Sequence, residues 1–338
     1  MFYIKLILSI SIFLSIFINE GKAQTKEINQ IDSIMKYSSK TGVFNGNVLV
    51  SKNNKIIYDK SFGYTDEKKI NNLTTNYRFN IGSITKEFSA VALMQLKEKG
   101  KLKLNDTVSK FLPELPKWAN KVTIKDLLQY SSGIPNVNWK SIKNDKDLYD
   151  GLMQIDTLDF EPGTNYDYNN NNIFLRQFII DRITKMPYKD YVEKYIFNTC
   201  NLSSALLTPF QTEENIAKGY NATLVQDKPD LPITGGTYIT TSDLLKWSSC
   251  LYNKKVINKK SIYELGQHFA LPETQSALGQ AKFSKTKLIQ HIHDGRAGNY
   301  EAIIYSNIEK KFTIILLDNN YNGKIIEISE AIAMILND

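Results

Sequence analysis

The stretch Asn80 to Phe88, NIGSITKEF, sets a serine and a lysine, Ser83 and Lys86, three residues apart behind a glycine. Ser-x-x-Lys also occurs at Ser33/Lys36 and Ser284/Lys287, so the surroundings must choose among the three pairs. After Ser83 the apolar residues Phe88, Val91, Ala92 and Leu96 fall on one helical face, and Gly100 stands where a helix would stop. Residues three apart on a helix share a side, so Lys86 stands beside the Ser83 hydroxyl. Free backbone N–H groups at a helix start favour negative charge, a suitable place for an oxyanion. Ser33 lies inside a predicted helix with no glycine beside it, and Ser284 lies in a lysine-rich loop or strand.

A serine hydroxyl needs a base, and lysine serves only if its proton is loosened. Moving a lysine from about 10.4 to near 7 costs about 4 kcal/mol, which burial and nearby groups can supply. Polar partners elsewhere in the chain are therefore expected. In EPGTNYDYNNNNIFLRQFI, Tyr168 and Asn170 stand two apart before a helix beginning near Ile173. A tyrosine can relay a proton, and an asparagine can donate to and accept from an amide. The same residues also read as a polar loop capping a helix. In HIHDGRAGNYEAIIY, His293, Gly295 and Gly298 precede a strong strand pattern, where glycine lets a substrate lie against a sheet edge. His293 also reads as a histidine on a polar strand end.

Both chain ends read as a helix with antiparallel strands. Ile28, Ile31, Ile34 and Met35 have helical spacing, and FNGNVLVS-KNNK-IIYDKSFGY reads as a hairpin. YEAIIYS-NIEKK-FTIILLDN reads as a second hairpin, followed by a helix over about Lys324 to Leu336. The middle is helical and loop-rich. The expected class is α+β: an antiparallel sheet flanked by N- and C-terminal helices, from about residues 24–77 and 232–338, with a mostly helical insertion over about 78–231.

The chain has 338 residues, 42% hydrophobic and 23% charged, ordinary for a globular protein. Its net charge of +7 comes from scattered lysines, which reads as a solvated basic surface; no arginine-rich stripe points to nucleic acid. Residues 1–23 combine a basic start, the apolar run Leu6 to Ile18 and small residues at Gly21 and Ala23. That is the pattern of a signal peptide, and the expected location is the periplasm or the outside of the cell. Cys200 and Cys250 are compatible with a disulfide or with two buried thiols.

Three stretches in order, Ser83-Ile-Thr-Lys86, Tyr168-Asn-Asn170 and His293-Asp-Gly295, resemble the serine β-lactamase and penicillin-binding-protein superfamily in its class C-like branch. LLQYSSGIP, GGTYITTSDLLKW and GNYEAIIYSNIEKKFTIILLDN add to the likeness, which runs from about Phe44 to Asp318. The resemblance implies an acylated nucleophile at Ser83, a base at Lys86 and a proton shuttle at Tyr168. Asn170 would hold the substrate amide or ester oxygen, and His293 stands where many relatives carry lysine. Gly295 leads into the strand, and the backbone N–H groups of Ser83 and Arg296 would form the oxyanion hole. No metal or organic cofactor is implied. The implied partner is a small molecule or peptide, such as a peptidoglycan fragment.

The chain departs from the family pattern at several points. Asp294 stands where β-lactamases often carry threonine, and an aspartate would repel a β-lactam carboxylate. This favours a peptide, amide or ester over an antibiotic as substrate, with a true class C-like β-lactamase and a non-catalytic binding module as alternatives. Tyr130 replaces a common histidine, Thr199 to Leu202 replaces a usual Pro-Leu-Gly-Met, and Ile257 to Phe283 matches poorly. His291 and His293 share one side of a strand, as a metal pair would, but no third ligand stands at familiar spacing. Gly-x-Ser-x-Gly and the class A Ser-Asp-Asn are both absent.

Overall fold

The computed structural model describes residues 24–138, 141–208, 213–227, 236–271 and 273–337; the expected signal peptide lies outside them. In chain order, α1 (24–40) precedes the hairpin β1 (Gly46–Lys52) and β2 (Lys55–Phe62). Then come the short β3 (Phe79–Asn80), a 3₁₀ turn (Gly82–Thr85) and α2 (Lys86–Glu98). α3 (Ile124–Gln129), α4 (Asp145–Met153), α5 (Asn170–Thr184), α6 (Tyr188–Val192) and α7 (Asn198–Cys200) follow. β4 (Leu206–Leu207), β5 (Thr237–Ile239), α8 (Thr241–Tyr252) and α9 (Lys259–Leu265) lead back to the main sheet. That sheet is completed by β6 (Gln280–Ser284), β7 (Lys287–Ala297), β8 (Tyr300–Asn307) and β9 (Phe312–Asp318), and α10 (Ile325–Asn337) ends the chain.

The two predicted hairpins meet in one six-stranded antiparallel sheet of order β2-β1-β9-β8-β7-β6. β1 joins the chain ends, pairing Val48 with Leu316 and Val50 with Ile314 on β9. Strand alternation divides the sheet's apolar residues between two cores. Val48, Val50, Ile314 and Leu316 pack with Ile31, Met35 and Ile332 of the terminal helices. Leu49, Ile315, Leu317, Ala302 and Ile304 face the larger core, with Phe88 and Val91 of α2, Ile179 of α5 and Trp247 of α8. The fold is thus the α+β arrangement expected, with helices on both faces of one antiparallel sheet.

Two local readings need correction. Ser83 belongs to a 3₁₀ turn, and the α-helix proper begins at Lys86. α5 begins at Asn170, three residues before Ile173, because the Asn169 side chain caps it by accepting from the Asn171 N–H at 2.8 Å. The open question about the cysteines is resolved: Cys200 and Cys250 form a disulfide that ties α7 to α8. Among the described residues no helix is long and apolar enough to cross a membrane.

The disulfide closes a loop of 50 residues. Replacing both cysteines by alanine is expected to lower the unfolding free energy by about 2–4 kcal/mol. Urea denaturation of the oxidised protein and the variant measures the difference.

Candidate active site

The strand β3 delivers the chain to the 3₁₀ turn, which is held from several sides. The Ile81 N–H donates to the Thr237 carbonyl at 3.0 Å, the Gly82 N–H to the Asn80 side chain at 2.9 Å, and the Thr237 N–H to the Thr85 hydroxyl at 3.1 Å. Against the turn lies β7, at van der Waals limits. A Cβ on Gly295 would stand 2.0 Å from the Ile81 carbonyl oxygen and 2.8 Å from the Ser83 nitrogen. A Cβ on Gly82, whose φ is +50°, would stand 2.4 Å from the Arg296 nitrogen. Only glycine at both positions lets these two backbones touch. The main-chain nitrogens of Ser83 and Arg296 therefore lie on two segments in direct contact. The Arg296 side chain turns to solvent, its guanidinium 3.6 Å from the centre of the Tyr321 ring.

Lys86 Nζ donates to Ser83 Oγ at 2.9 Å and lies 5.0 Å from the centre of the Tyr168 ring. Burial holds its pKa below the ordinary lysine value, opposed by Tyr130 and assisted by the Arg176 guanidinium. The Tyr168 phenol is pushed up to about 12, chiefly by desolvation around its hydroxyl although the residue as a whole is 38% exposed, with the Ser83 hydroxyl acting against the rise and the Asp294 charge adding to it. Desolvation thus favours the neutral form of each group: it loosens the lysine's proton and holds the tyrosine's. Asn170 opens α5, and its Oδ1 is buried with no hydrogen-bond partner among the described residues.

His293 and His291 alternate with Ile292 along β7, and the cross-strand partner of His293 is Ile304, part of the larger core. Both rings are buried beneath α2, where they meet a residue that sequence reasoning missed. Oε1 of Glu87 accepts from His293 Nδ1 at 2.6 Å and from His291 Nε2 at 2.8 Å, and Oε2 accepts from Trp247 Nε1 at 2.7 Å. The Tyr252 hydroxyl stands 2.8 Å from His291 Nδ1. Burial raises the Glu87 carboxyl, but the two histidines more than offset it and hold it well below the usual carboxylate range. The third group sought beside the histidine pair thus exists, though far away in sequence: Glu87, His291 and His293 offer ligand atoms within 4.8 Å of one another. Asp294 alternates with His293 and pairs with Ile303, part of the smaller core.

Arg176 was also missed. It is completely buried, with Nε and Nη2 donating to the Leu127 carbonyl and Nη1 without a hydrogen-bond partner among the described residues. Its guanidinium lies 5.0 Å from the centre of the Tyr130 ring, and that ring is 4.7 Å from the ring of Tyr168. A stack therefore runs from Arg176 through Tyr130 and Tyr168 to Lys86. Its signal was present: Arg176 lies three and four residues from Ile173 and Ile180, on the apolar face of α5. Glu87 likewise lies in a helix that is buried from Glu87 to Leu96.

The comparisons agree with this fold. Residues 30–324 match the family model described as Beta-lactamase. PbpX of Bacillus subtilis (strain 168), which carries a provisional penicillin-binding-protein name, is 27% identical over 336 residues, covering 94% of this chain and 81% of that one. The protein flp of Staphylococcus aureus (strain MRSA252) is 28% identical over 326 residues; the match covers 88% of this chain and 64% of flp. A class C beta-lactamase structure superposes with a TM-score of 0.80 at 20% identity, covering 92% of this chain and 96% of that one. The chain belongs to the beta-lactamase family, a family of serine hydrolases with the beta-lactamase/transpeptidase-like fold. Its relatives include proteins named for penicillin binding and for β-lactam hydrolysis.

Two outcomes are expected from this geometry. Gly295→Ala forces the 3₁₀ turn off β7, and ester hydrolysis is expected to fall by about 100-fold or more, as for a misplaced reacting group; steady-state kinetics on folded variant measures it. Arg176→Met removes a buried positive charge that lowers the Lys86 pKa. The Lys86 titration should then move upward, toward the ordinary lysine value, in NMR spectra of ¹³C-labelled lysine.

Proposed function

We propose that this protein is an exported serine hydrolase that forms an acyl-enzyme on Ser83 from a peptide, an amide or an ester. The observation that carries the reading is the 2.9 Å contact between Ser83 Oγ and a half-buried Lys86 whose pKa is lowered by desolvation. Lys86 accepts the Ser83 proton as Oγ bonds to the substrate carbonyl carbon. The oxyanion is met by the backbone N–H groups of Ser83 and Arg296, on the two segments that the glycines bring into contact. Tyr168 passes its proton to the leaving nitrogen or oxygen and is reprotonated from Lys86. Water then attacks the acyl carbon, passing its proton through Tyr168 to Lys86, and Ser83 Oγ takes that proton back as the acid leaves.

Asn170 is the substrate-binding amide, since its Oδ1 has no hydrogen-bond partner among the described residues. His293 is the polar group on the neighbouring strand. The reading needs no metal and no organic cofactor. The natural substrate is taken to be a small D-amino-acid peptide or ester, as from peptidoglycan. A β-lactam carboxylate is disfavoured by Asp294, whose charge reaches Tyr168.

The test uses a fluorescent penicillin and a fluorophosphonate on the mature protein. Label that appears in the native protein and vanishes in Ser83→Ala supports the hydrolase. Absence of label with both reagents on folded protein supports a non-catalytic binding module, and fast turnover of a chromogenic cephalosporin supports a β-lactamase. Lys86→Ala and Tyr168→Phe are each expected to lower p-nitrophenyl ester turnover by about 100-fold, since each removes a proton-transfer group.

A further inference from the structure

The buried cluster under α2 joins His293, a residue of the site, to Glu87, which has no part in the chemistry just described. Glu87 follows Lys86 directly and points the other way, into the seam between α2, α8 and β7. A carboxylate there is costly unless its lone pairs are filled. Three donors fill them: His293 Nδ1 at 2.6 Å, His291 Nε2 at 2.8 Å and Trp247 Nε1 at 2.7 Å. Each contact fixes a proton. Glu87 is ionised, so Nδ1 of His293 must carry hydrogen to donate to it. His291 donates through Nε2, and the Tyr252 hydroxyl stands 2.8 Å from its Nδ1. The backbone of Gly279 closes on the His293 ring, where an added Cβ would lie 2.7 Å from Cγ.

We propose that Glu87 is a positioning residue for His293: its carboxylate commits the imidazole to carrying hydrogen on Nδ1, which leaves Nε2 as the ring nitrogen that meets the substrate. The proposal rests on the hydrolase reading for its consequence in turnover, but its structural content is independent of that reading. Two residues further along β7, Gly295 touches the Ser83 nitrogen, so the ring is carried on the same stretch of strand that abuts the nucleophile. Trp247 and Tyr252 from α8, His291 from β7 and Lys86 from α2 are the polar or titratable groups set around the pair. A free neutral imidazole can exchange its proton between the two nitrogens. Under Glu87 that freedom is gone, and a substrate group always meets the same nitrogen.

The test has an arm that needs no activity. In ¹⁵N NMR of histidine side chains at pH 8, the native protein is expected to show His293 carrying hydrogen on Nδ1, with a strongly deshielded, slowly exchanging proton. In Glu87→Gln that signal should be lost. Glu87→Asp, which keeps the charge but retracts it, should restore part of it. In kinetics, Glu87→Gln is expected to lower kcat/KM for an ester by about 100-fold, while in the His293→Ala background the same change should cost less than about twofold, because the two residues act as one unit. An unprotonated Nδ1 in the native protein overturns the proposal, as do additive losses in the double variant. Stoichiometric zinc in the purified protein, removed by chelation with a change in the histidine spectrum, also overturns it, since the three side chains would then be ligands. If the native protein forms no acyl adduct at all, the hydrolase reading fails, and the NMR arm alone decides the tautomer.

Discussion

Everything at the site depends on two backbones meeting without side chains between them. Gly82 and Gly295 face each other's segments at distances that a Cβ cannot survive. One segment begins the helix that carries Lys86; the other continues the strand that carries His293. A single methyl group would separate the serine from the sheet edge and open the space between the Ser83 and Arg296 nitrogens. The hydrogen bonds from Ile81, Gly82 and Thr237 hold the turn in register with the small β3-β5 pair, so the contact is fixed from both sides.

The interior around this contact contains three charged residues that a plain core would reject. Lys86, Glu87 and Arg176 are each treated differently. Glu87 is fully satisfied, with donors on both oxygens, and stays ionised. Lys86 is half-buried with its amine beside a neutral hydroxyl, and desolvation lowers its pKa. Arg176 cannot lose its proton, so it spreads its charge over one carbonyl and the face of Tyr130. Adjacent residues of one helix are thus pushed in opposite ways, Glu87 toward its charged form and Lys86 toward its neutral one. The difference is set by which partners reach each side chain across the seam.

The sequence made the scaffold legible because its signals were local. The strand alternation of Val48, Leu49 and Val50 and the isoleucine spacing of the last helix appear in the structure as expected. The contact of Ser83 with Lys86 was legible because three residues along a helix define it, whereas the nearness of Tyr168 to Lys86 was implied by the resemblance alone, its own stretch reading equally as a loop that caps a helix. Glu87 was not, since its partners His291, His293 and Trp247 lie 160 or more residues away and no spacing rule links them. Arg176 was hidden for a related reason: a charge on an apolar face announces burial but not what it stacks on. The start of α5 was placed too late because four asparagines in a row offer several capping positions, and only geometry selects Asn169.

The place of β1 in the middle of the sheet has a consequence for how the chain comes into being. Its partner β9 starts at Phe312, 260 residues after β1 ends at Lys52. At about 5–20 residues per second, synthesis leaves β1 waiting roughly 13–50 s for that partner. Meanwhile it has only β2, and a lone hairpin is marginally stable in water. The nascent chain therefore carries an unsealed apolar ribbon, Val48 to Val50, through most of its making. Whatever escorts such ribbons in the cell has ample time to bind, and the sheet locks only when the last strands arrive.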